Sequence, residues 1–306
     1  MNNFDFISCQ MCGRTCKVNR IDNFSSFCQV DQNIFISSIF NHKGEEPPIS
    51  GNTGICNVFF AHCNLQCVYC QNFQISNNKS DLQKFKISLE QAVEKIISIL
   101  NTGAKSVGFV SPSHFVLQTI DIIELLHKKG YYPTIVYNTN AYDNVESLKI
   151  LEKYVDVYLP DFKYSNDKIA VKYSQAPNYR QIATSAIKEM IRQKGDFLYV
   201  NSKGYAESGV IIRHLVLPNN TENSIGVLEI IANELSKNVH LSLMSQYYPT
   251  YKSFYYPELS RHINQQEYYT VVEKLNELGL KNGWIQEFES KDYYRPNFEN
   301  SQPFED

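Results

Sequence analysis

No stretch of this chain is long and apolar enough to span a bilayer, and its mean hydropathy is −0.35. The opening residues, Met1-Asn2-Asn3-Phe4-Asp5-Phe6, have neither the basic region nor the apolar core of a secretory signal. Charge of one sign is also missing: 29 Lys+Arg against 32 Asp+Glu leave −3 over 306 residues. A local basic patch aside, this excludes a broad electrostatic pull toward nucleic acid or an anionic membrane. With 43% hydrophobic and 20% charged residues, the composition also excludes disorder for most of the chain. These absences predict a globular, cytoplasmic protein with no membrane or nucleic-acid partner.

Cysteine is absent after Cys70. All eight lie at 9, 12, 16, 28, 56, 63, 67 and 70. A reducing cytosol disfavours disulfides, and core cysteines would scatter along the chain. Thiols separated by gaps of two and three residues point instead to metal binding.

After residue 50 short apolar runs alternate with amphipathic helical patterns. Candidate strands are 54–60, 106–111, 133–138, 155–160, 209–216 and 239–244. In 88–101, Leu89, Ala92, Val93, Ile96, Ile97 and Leu100 share a face, and Ser88 with Gln91 forms a capping box. In 178–194, Ile182, Ala186, Ile187, Met190 and Ile191 do the same before the capping Gly195. Similar patterns fill 115–129 and 223–236. Such alternation predicts right-handed βαβ units and a parallel sheet, either doubly wound or an incomplete barrel, with ligands at the strands' C-terminal ends. Three segments are expected: a cysteine-rich module over 1–50, a core over 51–286, and an acidic, aromatic tail over 287–306. His42 to Pro48 reads as a loop into the core. The tail reads either as a strap over the surface or as a loose end.

Directly after the first candidate strand stands Cys63-Asn-Leu-Gln-Cys67-Val-Tyr-Cys70. A closed [4Fe–4S] cluster takes four cysteines, and Cys56 falls inside the strand. Three thiolates therefore leave one iron open, which is the mark of a reactive centre rather than a structural one. Zinc held by three cysteines is the competing reading and lacks a suitable fourth ligand. Cys9-Gln-Met-Cys12-Gly-Arg-Thr-Cys16 with Cys28 is a complete set of four, suited to zinc or to a cubane. A small segment with little core needs such a staple; an electron-relay cluster is the alternative.

The C-x3-C-x2-C spacing resembles that of the radical S-adenosylmethionine (SAM) superfamily. The string from Phe60 to Asn72 is similar, more narrowly, to the branch related to pyruvate formate-lyase-activating enzymes. Further matching stretches are Glu45-Glu46-Pro47-Pro48-Ile49-Ser50-Gly51, Tyr137-Asn138-Thr139-Asn140, Leu159-Pro160-Asp161-Phe162-Lys163 and Arg213-His214-Leu215-Val216-Leu217-Pro218. The resemblance implies an incomplete (β/α)6 barrel and a [4Fe–4S] cluster on Cys63, Cys67 and Cys70 with SAM on its open iron. It further implies reductive cleavage of SAM to a 5′-deoxyadenosyl radical, and abstraction of hydrogen from an unknown substrate, a protein glycine or a small molecule. A low-potential electron donor of flavodoxin or ferredoxin type is the implied partner. The rival from another class is a non-catalytic iron–sulfur or zinc protein serving as electron carrier or assembly partner.

Strand ends supply the candidate SAM contacts. Ser111-Pro112-Ser113-His114 lies where the activases carry Gly-Gly-Glu-Pro, so Ser111, Ser113 or His114 would replace the missing carboxylate; alternatively Ser113 only caps a helix. Asn138 and Asn140 suit ribose hydroxyls, or are ordinary turn residues. Asp161 and Lys163 match the activases' Asp-x-Lys and form either a polar wall beside the SAM carboxylate or a plain surface ion pair. Arg213 is expected to meet an anion, and Gln246 the adenosine. The run Tyr247 to Tyr256 reads as a lid or substrate platform over the open mouth, or as packing against the tail.

Overall fold

Among the described residues ten strands form one sheet: β1 (Ile34–His42), β2 (Ile55–Phe60), β3 (Lys86–Ile87), β4 (Ser106–Val110), β5 (Thr134–Thr139), β6 (Val157–Pro160), β7 (Tyr199–Val200), β8 (Ala206–Leu215), β9 (His240–Met244) and β10 (Gly283–Ile285). Their order is β10-β9-β8-β6-β5-β4-β2-β1-β3, with β7 beside β8. This computed structural model describes residues 6–21, 26–292, 295–300 and 302–304. Parts of the expected N-terminal module (1–5, 22–25) and tail (293–294, 301, 305–306) lie outside the described residues.

Strands β2, β4, β5, β6, β8, β9 and β10 run parallel, and β1 pairs antiparallel with β2. Among the described residues, β3 and β10 end the order without pairing to each other, so the barrel stays open. The helices are α1 (Pro47–Ser50), α2 (Phe73–Ser76), α3 (Leu89–Leu100), α4 (Val116–Lys128), α5 (Val145–Leu151), α6 (Asp167–Ser174), α7 (Tyr179–Lys194), α8 (Thr221–Ile230) and α9 (Gln265–Glu277). The six expected strands and their helices are present, and β10 adds a further parallel strand. Ser88 caps α3 through the expected box, its Oγ accepting from the Gln91 N–H at 3.1 Å. Gly195 ends α7 at φ 78°, a conformation that favours glycine.

Alternation along the strands divides the sheet into two faces. Val58, Phe60, Val107, Phe109, Ile135, Tyr137, Val210 and Ile212 join the main core with the helices. The opposite residues, Ile55, Val136, Val157, Leu159 and Ile211, close the barrel floor with Ile49 of α1 and Trp284 of β10. Above that floor the inward residues turn polar: Asn57, Asn138, Asp161, Arg213 and Ser242. Gly108 permits this change, because a Cβ there would strike the Asn57 side chain.

The segment expected to be a loop and module is partly sheet. Residues 34–42 are β1, and the expected boundary at residue 50 falls between hydrogen-bonded neighbours β1 and β2. Cys9, Met11, Cys28 and Val30 also belong to the main core. The described part of the tail lies as a strap: Phe298 and Phe304 pack on Phe59 at 5.2 and 6.4 Å, and Phe304 stands 4.4 Å from His42.

Candidate functional site

Cys63, Cys67 and Cys70 leave the C-terminal end of β2 and face a cavity of about 360 Å³ inside the barrel mouth. The same cavity is lined by Ser111, Asn138, Asn140, Asp161, Lys163, Arg213 and Gln246. Each of the three sulfurs has hydrogen-bonding groups nearby. The Leu65 N–H and Asn140 Nδ2 lie 3.3 and 3.6 Å from Cys63 Sγ, and Ser174 Oγ lies 2.9 Å from Cys67 Sγ. Ser76 Oγ is 3.2 Å from Cys70 Sγ. Groups that donate to sulfur stabilise thiolates and tune a cluster bound to them. Without metal, burial pushes the Cys63 thiol up to about 12 and Cys70 up to about 11. Metal binding here therefore displaces protons. Cys56 is fully buried within β2 and does not line the cavity, as its place in the strand implied.

The cavity wall is a chain of charges. Lys163 Nζ lies 2.8 Å from Asp161 Oδ2, Arg213 Nε lies 2.8 Å from Asp161 Oδ1, and Arg213 NH1 lies 3.1 Å from Glu45 Oε2. Arg213 also donates to Asn138 Oδ1 at 2.7 Å, and Asn57 donates to Glu45 Oε1 at 2.9 Å. Asp161 and Lys163 are about one-fifth exposed, so a plain surface pair is not the arrangement found. Burial disfavours the Asp161 carboxylate, but Arg213 and Lys163 outweigh it and hold the group below its ordinary range. Burial likewise opposes the Lys163 charge, yet Asp161 and Cys67 keep its pKa above the usual value. The anion expected opposite Arg213 is thus supplied by the protein itself.

Glu45 and Glu46, which stand in the sequence only within a stretch that matches the family, both line the cavity. Two acids before Pro47-Pro48 at the mouth of a helix were the available signal. Glu46 is 9% exposed, and burial raises its pKa.

Ser113 and His114 require correction as SAM contacts. Ser111 adopts φ 55°, and a 3-10 turn at Pro112–His114 carries both side chains into the core. Ser113 Oγ lies 3.0 Å from Thr139 Oγ1, and His114 Nε2 lies 3.2 Å from the Ala61 carbonyl. Neither lines the cavity. Nor does Ser113 cap α4, whose start has no side-chain cap. Asn140 reaches the site but also braces it, donating to Asn64 Oδ1 at 2.7 Å. Gln246 accepts from Gln286 Nε2 at 2.8 Å, and its carbonyl lies 3.2 Å from Gln71 Nε2.

The tyrosine-rich segment after β9 packs on the cysteine loop. The Lys252 N–H donates to the Val68 carbonyl at 2.9 Å, and Tyr251 stacks on Phe73 at 5.0 Å. It also meets the tail, where the Arg295 guanidinium lies 5.2 Å from the Tyr248 ring centre.

Cys9, Cys12 and Cys28 are buried beside this loop and Cys16 is exposed. A hydrogen bond from Cys16, reinforced by the Arg20 charge, holds the Cys9 thiol down at about 5. Burial pushes Cys12 up to about 12.

Residues 57–225, more than half of the chain, match the radical SAM superfamily, and the protein belongs to it. Membership implies a [4Fe–4S] cluster and SAM as cofactors, and the cavity-facing triad fits both. The chain is 32% identical over 284 residues to an uncharacterized protein of Methanocaldococcus jannaschii, covering 90% of this chain and 75% of the relative. It is also similar to the structure of TYW1 with a lysine–pyruvate adduct bound, with a TM-score of 0.51, 12% identity and 78% of both chains covered. At that identity the likeness speaks for the fold alone. The hydrogenase maturase HydG from Carboxydothermus hydrogenoformans aligns at a TM-score of 0.49 and 14% identity, over 73% of this chain and 50% of that one. No helix among the described residues is long and apolar enough to cross a membrane.

Proposed function

We propose that this protein is a cytoplasmic radical SAM enzyme of the branch related to pyruvate formate-lyase-activating enzymes, acting on a protein glycine or a small molecule. One observation carries the reading: three thiols at superfamily spacing and a polar, charge-balanced wall share a single cavity. When bound, the cluster and SAM supply reductive cleavage to a 5′-deoxyadenosyl radical, which abstracts hydrogen from the substrate. The chain's part is to hold, orient and seal. Cys63, Cys67 and Cys70 ligate. Lys163, beside Cys67, offers its ammonium to the SAM carboxylate, while Asp161 keeps that ammonium charged and aimed. Ser111, Asn138, Arg213 and Gln246 line the volume left for the rest of SAM. Phe304, which lines the cavity, excludes water and so protects a reactive radical from side reactions, while the tyrosine-rich segment braces the cysteine loop.

Cys9, Cys12, Cys16 and Cys28 bind a second metal in this reading, and a flavodoxin- or ferredoxin-type carrier supplies electrons. The experiment is anaerobic reconstitution followed by addition of SAM and dithionite. Release of 5′-deoxyadenosine is expected; a fully cluster-loaded protein that releases none is instead a non-catalytic iron–sulfur carrier.

A further inference from the structure

The N-terminal quartet and the active-site loop are built as one unit. Cys12 bridges to Asp143, and the Gly13 N–H donates to the Tyr142 carbonyl at 2.9 Å. Arg14 Nε then donates to the Asn64 carbonyl at 2.8 Å, next to Cys63. On the other side of Cys63, His62 Nδ1 lies 2.9 Å from the Cys28 carbonyl. Both neighbours of Cys63 in sequence are therefore fastened to the quartet.

Arg20 supplies an independent observation. Its side chain is 0% exposed, and it donates to the carbonyls of Asp31 at 2.6 Å and His114 at 2.7 Å. It also faces Met11 Sδ at 3.3 Å and Cys9 Sγ at 3.8 Å. Among the described residues, no carboxylate pairs with it. A buried guanidinium aimed at a cysteine sulfur is well matched by negative charge on that sulfur. Four thiolates around a metal centre carry net negative charge and would supply it at Cys9.

The placement of the quartet bears on which metal. Hydrogen bonds tie it to both sequence neighbours of Cys63, where the family holds its cubane. Redox-inert zinc would make no use of that link, whereas a cubane can exchange electrons across it. The quartet is also polarised, with Cys16 facing solvent and the other three turned inward.

We propose that Cys9, Cys12, Cys16 and Cys28 hold a second iron–sulfur cluster that passes electrons to the Cys63–Cys67–Cys70 centre, with Arg20 as its charge partner. This rests on the second-metal and radical SAM readings above. In each transfer a low-potential carrier protein loses one electron and the outer cluster gains it. The outer cluster is then reoxidised as the inner one is reduced, and no bond or proton changes hands. Cys16 marks the face where the carrier docks.

Metal analysis of the full, anaerobically reconstituted chain should find iron for two cubanes, about eight atoms. The Cys63→Ala/Cys67→Ala/Cys70→Ala variant should retain one cubane signal in electron paramagnetic resonance. In Cys16→Ser, SAM cleavage driven by reduced flavodoxin should fall far more than cleavage driven by dithionite. Arg20→Gln should lower the midpoint potential of the outer cluster alone, since lost positive charge disfavours reduction, and Arg20→Lys should restore it. Zinc at the quartet overturns the iron–sulfur assignment but leaves the second-metal reading standing; no metal at all overturns both. Equal losses with flavodoxin and dithionite overturn the relay. An unmoved potential in Arg20→Gln, or, if that variant does not fold, in the equally neutral Arg20→Met, overturns the role of Arg20. Failure of dithionite itself to give 5′-deoxyadenosine would instead refute the radical SAM reading.

Discussion

The two cysteine sets use the same residue type in opposite surroundings. Cys63, Cys67 and Cys70 sit at a strand end with a cavity before them, and Asn140, Ser174 and Ser76 stand at hydrogen-bonding distance from their sulfurs. Cys9 and Cys28 pack among core side chains, Cys12 is buried too, and Cys9 faces a fully buried arginine. Access rather than ligand chemistry separates the two: one set lines a cavity, and in the other three of the four thiols are buried. The difference comes from where the chain places them, at a barrel mouth and on the barrel's flank.

The sharpest break of this comparison is Cys63→Ala/Cys67→Ala/Cys70→Ala. It should abolish 5′-deoxyadenosine formation while the Cys9 set still binds its metal, measured by product analysis and metal content. Next comes the wall that the open set faces. Arg213→Met removes the cation paired with Glu45 and leaves Asp161 to Lys163 alone, and should cost on the order of 3–5 kcal/mol in urea unfolding. Adding Asp161→Asn should recover part of that loss. The Asp161 contribution also has a sign in pH. Its folded pKa is depressed, so its stabilisation is fully present above the unfolded value of about 3.9 and is lost as pH falls through the folded value. Acid unfolding of Asp161→Asn should therefore lack that component.

For the closed set, Cys9→Ser with Cys12→Ser should expose residues 6–31 to proteolysis while β1 onward stays protected, because β1 is held by β2. Lys163→Met should weaken SAM binding, read by calorimetry, with little change in melting temperature. Smallest is Ser174→Ala, which removes one hydrogen bond at Cys67 and should cost about 1 kcal/mol.

Much of this architecture was legible in the chain. The six apolar runs between helical patterns became parallel strands because each is buried on both faces, which leaves a continuous hydrophobic signal. β1 escaped notice for a physical reason. Its register shifts between Ile36 and Ser38, which breaks the two-residue period. β10 is only three residues long, too short for any period. α9 was readable in principle, with Tyr268, Val271 and Leu275 on one face and an Asn264–Glu267 capping box. In the site, the cysteines and the Asp161–Lys163–Arg213 set were visible because rare residues stood at strand ends. Ser113 and His114 misled because the left-handed Ser111 redirects the turn after it, and local sequence does not show that rotation. Glu45 and Glu46 were hidden because they enter the barrel from outside the alternating strands.

One further feature reaches beyond its immediate contact. Tyr69, Tyr164 and Ser174 stand in a line behind Cys67, with oxygen separations of 2.6 Å between the phenols and 2.6 Å from Tyr164 to Ser174. Each hydroxyl can donate in either direction, so the row has two senses of polarisation. A thiolate at Cys67 can only accept, which obliges Ser174 to donate to it, Tyr164 to donate to Ser174, and Tyr69 to donate to Tyr164. Deprotonating one sulfur thus aligns three hydroxyl dipoles, each strengthening the next. Tyr69→Phe, three hydrogen bonds of the row away from the sulfur, therefore changes the electron density felt at Cys67 without touching it.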